Sequence, residues 1–423
     1  MKIKKLFYSS AALSLLLIFN VASFAQSGST RPRRVTSPAT TQPAANDASA
    51  QPATSEVPAR PAAASPSSTA SSTRTPRTAA AGTDTLHAYA LLQQKQYAAA
   101  ASEAKQITAS DPNNAEAWKI AGFAEVSLQK YTDAAADLQR ALDLQRIAKT
   151  DDPNTVDALA QALVRTEAFD RALPLLVLAT TRTGARADAA MLYLRGLAEY
   201  RTGKAADAER SFNAATRANP KDAASLFYLG RIAYERNDFD KAIVMLNRAT
   251  LATPRETVAW SLLASSYLQR AAMSAAKDDA ASTARADADY QGAVRAGETL
   301  FRLKPDTNSA LAYGQALLSA KRYAPAATVL ERAAANEDAP PATFYLLGVA
   351  YSRAKNYPKA ITTLERAAQK TPDDANVYRE LGYDYEISKQ YAKALAAYEK
   401  GASVAPNDAD FKTSAERVRP FAK

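Results

Sequence analysis

The sequence predicts an all-α chain, a solenoid of stacked helical hairpins, on three observations. The composition favours helix: much of the apolar content is alanine, and glycine occurs only 13 times in 423 residues. Alanine is the best helix former and glycine among the worst. A period of 34 runs through four residue types: Ala100 to Ala134, Ala208 to Ala242 and Ala326 to Ala360 to Ala394; Gly196 to Gly230 and Gly314 to Gly348 to Gly382; Tyr323 to Tyr357 to Tyr391; Pro220 to Pro254 and Pro372 to Pro406. Within each period the large apolar residues recur at steps of three or four, on one helical face. One such hairpin cannot bury its apolar face alone, so copies must stack.

Before the repeats the chain is different in kind. Lys2, Lys4 and Lys5 precede an apolar run that is densest at Leu15, Leu16, Leu17, Ile18 and Phe19. Ser23-Phe24-Ala25 then offers small residues ahead of a cut before Gln26. This is the pattern of an export signal over residues 1–25, read as cleaved with an uncleaved anchor helix as the alternative, and it implies a periplasmic or secreted chain. Residues 26–82 are rich in Pro, Ala, Ser and Thr and carry six arginines against two acids. They have almost no large apolar residue, so they read as a disordered tether. An alternative is a tail that binds an anionic polymer or a membrane surface. The formal net charge of +10 lies mostly in these two segments, and only +3 remains after residue 82. The repeat region is therefore near neutral and lacks a nucleic-acid footprint.

Composition also bears on chemistry. The chain has no cysteine and one histidine, His87. Thiol catalysis, Cys-ligated zinc and disulfides are excluded, and histidine-based catalysis has almost no material. No Gly-rich phosphate loop, nucleophile elbow or paired-His motif is present. The expectation is a non-enzyme with no cofactor and no metal. His87 reads as a helix-surface or packing residue. Asp287, Asp289, Gln291, Gly292, Val294 and Glu298 do have the offsets of a calcium-binding loop. However, Tyr290, Ala293, Leu300 and Pro305 keep the repeat register there, which predicts an ordinary second helix.

The best copy reads Phe344, Leu347, Gly348, Tyr351, Tyr357, Ala360, Leu364, Ala367 and Pro372. The next has Tyr378, Leu381, Gly382, Tyr385, Tyr391, Ala394, Tyr398, Gly401 and Pro406. Others are carried by Trp118, Gly122, Tyr131, Ala134, Leu138 and Ala141, and by Leu226, Leu229, Gly230, Phe239, Ala242, Leu246, Ala249 and Pro254. This resembles the tetratricopeptide repeat, a 34-residue helix–turn–helix unit. About nine copies start near residues 81, 115, 153, 189, 223, 257, 307, 341 and 375, so the solenoid is expected over 83–408. The small residues allow close helix approach, and the prolines end each second helix. The register slips by four between Ala134 and Ala172, about one helical turn. Seventeen extra residues near 271–287 predict lengthened helices and a protruding hairpin. Pro174 falls inside a second helix. Phe411, Ala415 and Val418 predict a capping helix within 409–423.

The resemblance implies a right-handed α-α superhelix whose first helices line a concave groove. The groove positions here are Tyr193, Tyr200, Arg201, Phe227, Arg231, Tyr234, Tyr345, Arg353, Arg379 and Tyr383. Tyrosine and arginine are enriched at binding hot spots. The expected role is a protein-interaction scaffold in the cell envelope that holds a partner peptide or helix. Family members that grip a C-terminal carboxylate place Lys and Asn at these positions. Leu197, Arg231 and Ser265 at one of them argue against that ligand.

Overall fold

The computed structural model describes residues 85–182, 188–277, 279–336 and 338–422. The leader and tail expected over 1–82 lie outside the described residues. Those described form nineteen α-helices and no strand. Within the two units below, α1–α4 and α7–α18 pair as eight helical hairpins, and α19 closes the chain. First helices begin at Ala115, Pro153, Ala189, Ala223, Thr257, Thr307, Pro341 and Ala375, the positions marked by the register. Only the first hairpin departs, its helix α1 running from Leu86 to Gln93. The chain divides into two compact units, one ending at Ala168 and the other starting at Phe169. The first holds α1–α5 and the second α6–α19.

Local sequence sets the hairpin geometry. First helices are capped at the N-terminus by Asn114, Asp152, Asp188, Asp306 and Asp374, whose side chains accept backbone N–H bonds. Several end in a left-handed residue, as at Lys321, Lys355 and Lys389, and among the described residues Gly203 is the one glycine in that role. In the Lys355 turn, the N–H of Asn356 donates to the Tyr351 carbonyl at 2.8 Å and so satisfies the helix end. The entry to several hairpins is pinned from six residues ahead. The Trp118 and Trp260 indoles donate to the carbonyls of Pro112 and Pro254, and the Tyr378 hydroxyl to that of Pro372.

Packing follows the periodic residues. Ala100, Ala134, Ala172, Ala208, Ala242, Ala293, Ala326, Ala360 and Ala394 are all fully buried. Glycine in the first helix faces a large residue sixteen positions on: Gly122 faces Leu138, Gly348 faces Leu364 and Gly382 faces Tyr398. A Cβ at Gly348 would lie 2.5 Å from Leu364 Cγ, so only glycine lets the helices approach this closely. Each helix packs on its neighbour along the chain within its unit, and successive first helices also touch, as α7 with α9 and α15 with α17. Within each unit the first helices therefore lie side by side on one face.

Helices α11 (Thr257–Ala275) and α12 (Ala280–Leu303) run 19 and 24 residues, against 13 and 14 in α9 and α10. Ala271, Ser274 and Ala286 are buried in the extension. Arg270 binds Asp289 at 2.6 Å and Asp240 at 2.7 Å, and Arg285 also reaches Asp240, tying the extended pair to α10. The residues with calcium-loop offsets all lie on α12. Asp287 and Glu298 are about 16 Å apart along its axis by helical rise, too far to converge on one ion. Helix α19 (Ala409–Val418) buries Phe411, Ala415 and Val418 against α18 (Tyr391–Val404). The Phe411 ring occupies the space a side chain would need at Gly401, where a Cβ would collide with Phe411 Cε1. The cap thus explains glycine where alanine is usual. Pro174 does sit inside α6 (Phe169–Thr181), which continues through it.

Candidate partner-binding face

The ten groove residues fall into two groups in the second unit. The first lies on α7 (Ala189–Arg201) and α9 (Ala223–Glu235). Tyr228 stacks on Phe212 with ring centroids 5.1 Å apart, and this buried pair forms the floor. Tyr193 leans on both rings at 6.0 and 6.3 Å, and Tyr200 meets Tyr228 edge-on at 5.4 Å. The Tyr200 hydroxyl donates to Glu235 Oε1 at 2.5 Å. Arg231 Nε–H donates to the same oxygen at 3.0 Å, and its guanidinium lies 5.3 Å from the Tyr200 ring centroid. Burial pushes the Tyr200 hydroxyl above its usual range, and the Glu235 bond adds to this. The result is a hydrogen-bonded Tyr–Arg–Glu cluster in which Tyr200 and Arg231 are half-buried and Glu235 is exposed.

Other members of that group sit apart from the cluster. Arg201 covers the Phe169 ring at 4.9 Å, and Tyr234 packs edge-on against Phe239 at 5.5 Å. Phe227 corrects the sequence reading. It is only 2% exposed and meets Tyr228 edge-on, so it belongs to the core rather than to a binding surface. Its position matches that of Tyr193 and Tyr345, which remain partly exposed.

The second group lies on α15 (Pro341–Arg353) and α17 (Ala375–Ile387). Arg353 donates to Glu380 Oε1 at 2.9 Å and lies over the Tyr383 ring at 5.8 Å. Arg379 covers the buried Phe411 ring at 4.8 Å, donates to Asn376 at 2.9 Å and pairs with Asp408. Tyr345 is half-buried between two core clusters, and burial raises its hydroxyl pKa, with the nearby Glu380 carboxylate adding to it.

Several buried polar residues escaped the sequence reading. In the first unit Glu125 is buried with Asp137 beside it, and the Lys105 ammonium bridges to both. Desolvation pushes Glu125 up to about 7. In the second unit Glu199 is buried, bonded by Arg195 at 2.8 Å and by the Ser211 hydroxyl at 2.6 Å. Asp384 is fully buried and accepts from the Ser352 hydroxyl at 2.6 Å. The available signal was a polar residue at a position apolar in other copies. His87 is exposed and bonds the Glu103 carboxylate at 2.7 Å across the first hairpin.

A solenoid of helical hairpins with aromatic and arginine side chains on the shared face of its first helices defines a repeat scaffold. The model of the Tetratricopeptide repeat family matches residues 85–152, 158–221, 193–256 and 345–409, and the chain belongs to that family. A model described as Anaphase-promoting complex, cyclosome, subunit 3 matches 286–367. No curated protein matches the chain. Among solved structures, MamA (residues 41 to the end) from Desulfovibrio magneticus RS-1 is 21% identical, covering 44% of this chain and 97% of that one, with a TM-score of 0.37. YrrB, described as a TPR protein with an unusual peptide-binding site, is 15% identical over 50% of this chain and 99% of its own, with a TM-score of 0.40. A thermophilic TPR protein from Thermus thermophilus is 20% identical over 46% and 98%, with a TM-score of 0.32. The repeats make the chain a protein-interaction scaffold. Among the described residues no helix is long and apolar enough to cross a membrane.

Proposed function

We propose that the protein is an exported, non-catalytic scaffold of the cell envelope that holds a peptide or helix of another protein along the face shared by its first helices. The observation that carries this is the cluster of Tyr193, Tyr200, Arg231 and Glu235. These are amphipathic side chains in contact with each other and partly open to solvent. Pre-ordered aromatic and guanidinium groups lose little entropy on binding, which is why such residues dominate interface energies. Export rests on the basic start, the apolar run and the small residues ahead of Gln26.

The test is capture of a partner from envelope extract by the wild-type chain and by a variant with Tyr200, Arg201, Arg231 and Tyr234 changed to alanine. The expected result is a protein retained by the first and lost by the second, with circular dichroism showing both folded. Equal retention by both would overturn the first-helix face as the binding surface. Retention that instead vanishes on deleting residues 26–82 would favour the arginine-bearing tail.

A further inference from the structure

The last three hairpins of the second unit turn through residues that carry cations and no acids. Helix α13 (Thr307–Ser319) passes to α14 (Tyr323–Ala334) through Lys321 and Arg322, α15 to α16 (Tyr357–Lys370) through Lys355, and α17 to α18 through Lys389. From the last residue of each first helix to the third of each second helix, the segments are 319–325, 353–359 and 387–393. They hold Lys321, Arg322, Arg353, Lys355, Lys359, Lys389 and Lys393, with no aspartate or glutamate. All seven cations are exposed. The hairpins pack in sequence, α13 against α15 and α15 against α17, so the turns line one edge. Packed helices sit about 8–10 Å apart, which spreads these cations along a line on the order of 20 Å.

Folding alone does not call for this charge. Lys321, Lys355 and Lys389 are left-handed, with φ of 59°, 63° and 61°. Glycine and asparagine adopt that conformation more readily, and earlier turns of the unit use Gly203 and Asn237. A lysine at the end of a first helix suits that helix's dipole, but a lysine at the start of a second helix opposes it. Lys359 and Lys393 stand in the first turns of α16 and α18, one residue before the buried Ala360 and Ala394. Asp133 and Asp207 hold the same place in α4 (Tyr131–Ile147) and α8 (Ala205–Ala218), before Ala134 and Ala208. Few of the cations are neutralised from within the fold. Arg353 pairs with Glu380 and Lys359 with Glu331, while Arg322 bonds the neutral Gln291 amide. Among the described residues Lys321, Lys355 and Lys389 have no acidic partner. Glu386, beside the third turn, is taken up by Arg417 and the Tyr398 hydroxyl. The other end of the same hairpins has the opposite sign. Its connections 335–340, 371–374 and 405–408 carry Asp338, Asp373, Asp374 and Asp408 and no lysine or arginine.

We propose that the basic edge seats the second unit on an anionic lipid surface, its ammonium and guanidinium groups against lipid phosphates and the aspartate edge turned away. A bilayer suits this edge better than an acidic peptide does. The cations stand on separate turns rather than inside a groove, and a charged plane meets all of them at once without the entropy cost of ordering a flexible chain. Each turn also sets a half-buried tyrosine two residues after its lysine: Tyr323, Tyr357 and Tyr391. Tyrosine and lysine both place a polar tip at the headgroup level with an apolar body beneath. Each cation near an anionic surface adds to the attraction, so the set acts together. Only Arg353 belongs to both this edge and the first-helix face, and either surface can bind without the other.

The test measures binding of the full chain to vesicles of phosphatidylglycerol mixed with phosphatidylcholine, and to vesicles of phosphatidylcholine alone. An edge variant carries Lys321→Glu, Lys355→Glu, Lys389→Glu and Lys393→Glu. A control variant carries Arg217→Glu, Arg255→Glu, Lys400→Glu and Lys412→Glu, which are exposed, lie off the edge and change the net charge equally. Wild type and both variants keep residues 1–82, so any contribution of that segment is common to them. The wild type is expected to prefer the mixed vesicles. The edge variant should bind them at least about tenfold more weakly, and the control should stay within about threefold of the wild type. Circular dichroism checks that all are folded. No preference of the wild type for mixed vesicles, or equal losses in the two variants, would overturn the proposal. So would an edge variant that binds vesicles normally but loses a polyglutamate peptide held by the wild type, since the edge would then be a site for acidic protein segments.

Discussion

Replacing Phe411 with alanine is expected to destabilise the unit that holds α6–α19 by about 3–5 kcal/mol, the usual cost of deleting a buried aromatic ring. Phe411 is 1% exposed and seals the end of the stack: its ring lies on the bare backbone of Gly401, under the guanidinium of Arg379. Removing it leaves a cavity that Gly401 cannot fill, and it exposes the apolar edge of the last full hairpin. Terminal caps matter in a linear array because each hairpin is stabilised only by its neighbours. Urea denaturation followed by circular dichroism checks this. The control is Phe421→Ala. That ring is largely exposed and only brushes Tyr391 at 5.3 Å, so its loss should cost well under about 1 kcal/mol by the general rule for exposed sites. Similar losses for both variants would contradict a capping role for α19.

Asp384→Asn is expected to do the opposite at neutral pH and stabilise the same unit by about 2 kcal/mol. Burial, with help from Glu380 on its own helix, pushes the Asp384 carboxyl from 3.8 up to about 6, against the Ser352 bond and the Arg353 charge from α15 that favour ionisation. A carboxyl whose folded pKa is raised contributes stability that is complete below 3.8 and lost as pH rises to about 6. That gap corresponds to roughly 3 kcal/mol at about 1.4 kcal/mol per unit, and the imperfect fit of an amide lowers the expected gain. The variant should therefore match the wild type near pH 4 and exceed it at pH 7.5. Denaturant melts at the two pH values measure the difference. A variant that is no more stable at pH 7.5 would show that Asp384 finds adequate donors in the folded chain.

The helices and their register were legible because the signals repeat. Capping residues such as Asn114 and Asp374 mark first-helix starts, and buried alanines such as Ala360 and Ala394 mark second helices. Agreement at many copies averages out the ambiguity of any one. Exposure within the groove was less legible, because it depends on what lies beneath each position. Phe227, Tyr193 and Tyr345 share a register, yet of the three only Phe227 is in the core. The carboxylates at Glu380 and Asp384 were missed for the converse reason. A search for what repeats passes over the copy that departs. The calcium-like spacing on α12 shows the reverse error, a motif that matches in sequence while its residues are strung along a helix.

The central claim is that partners bind the face formed by first helices. Site-specific photocrosslinking tests it most directly. A benzophenone amino acid is placed at Tyr200 or Tyr383 on first helices, and at Val244 or Leu251, which are exposed on the second helix α10. The full chain is then irradiated in envelope extract. The account predicts a crosslinked partner from Tyr200 and Tyr383 and none from Val244 and Leu251. Crosslinks from Val244 and Leu251 alone would place the interface on the second helices and contradict it.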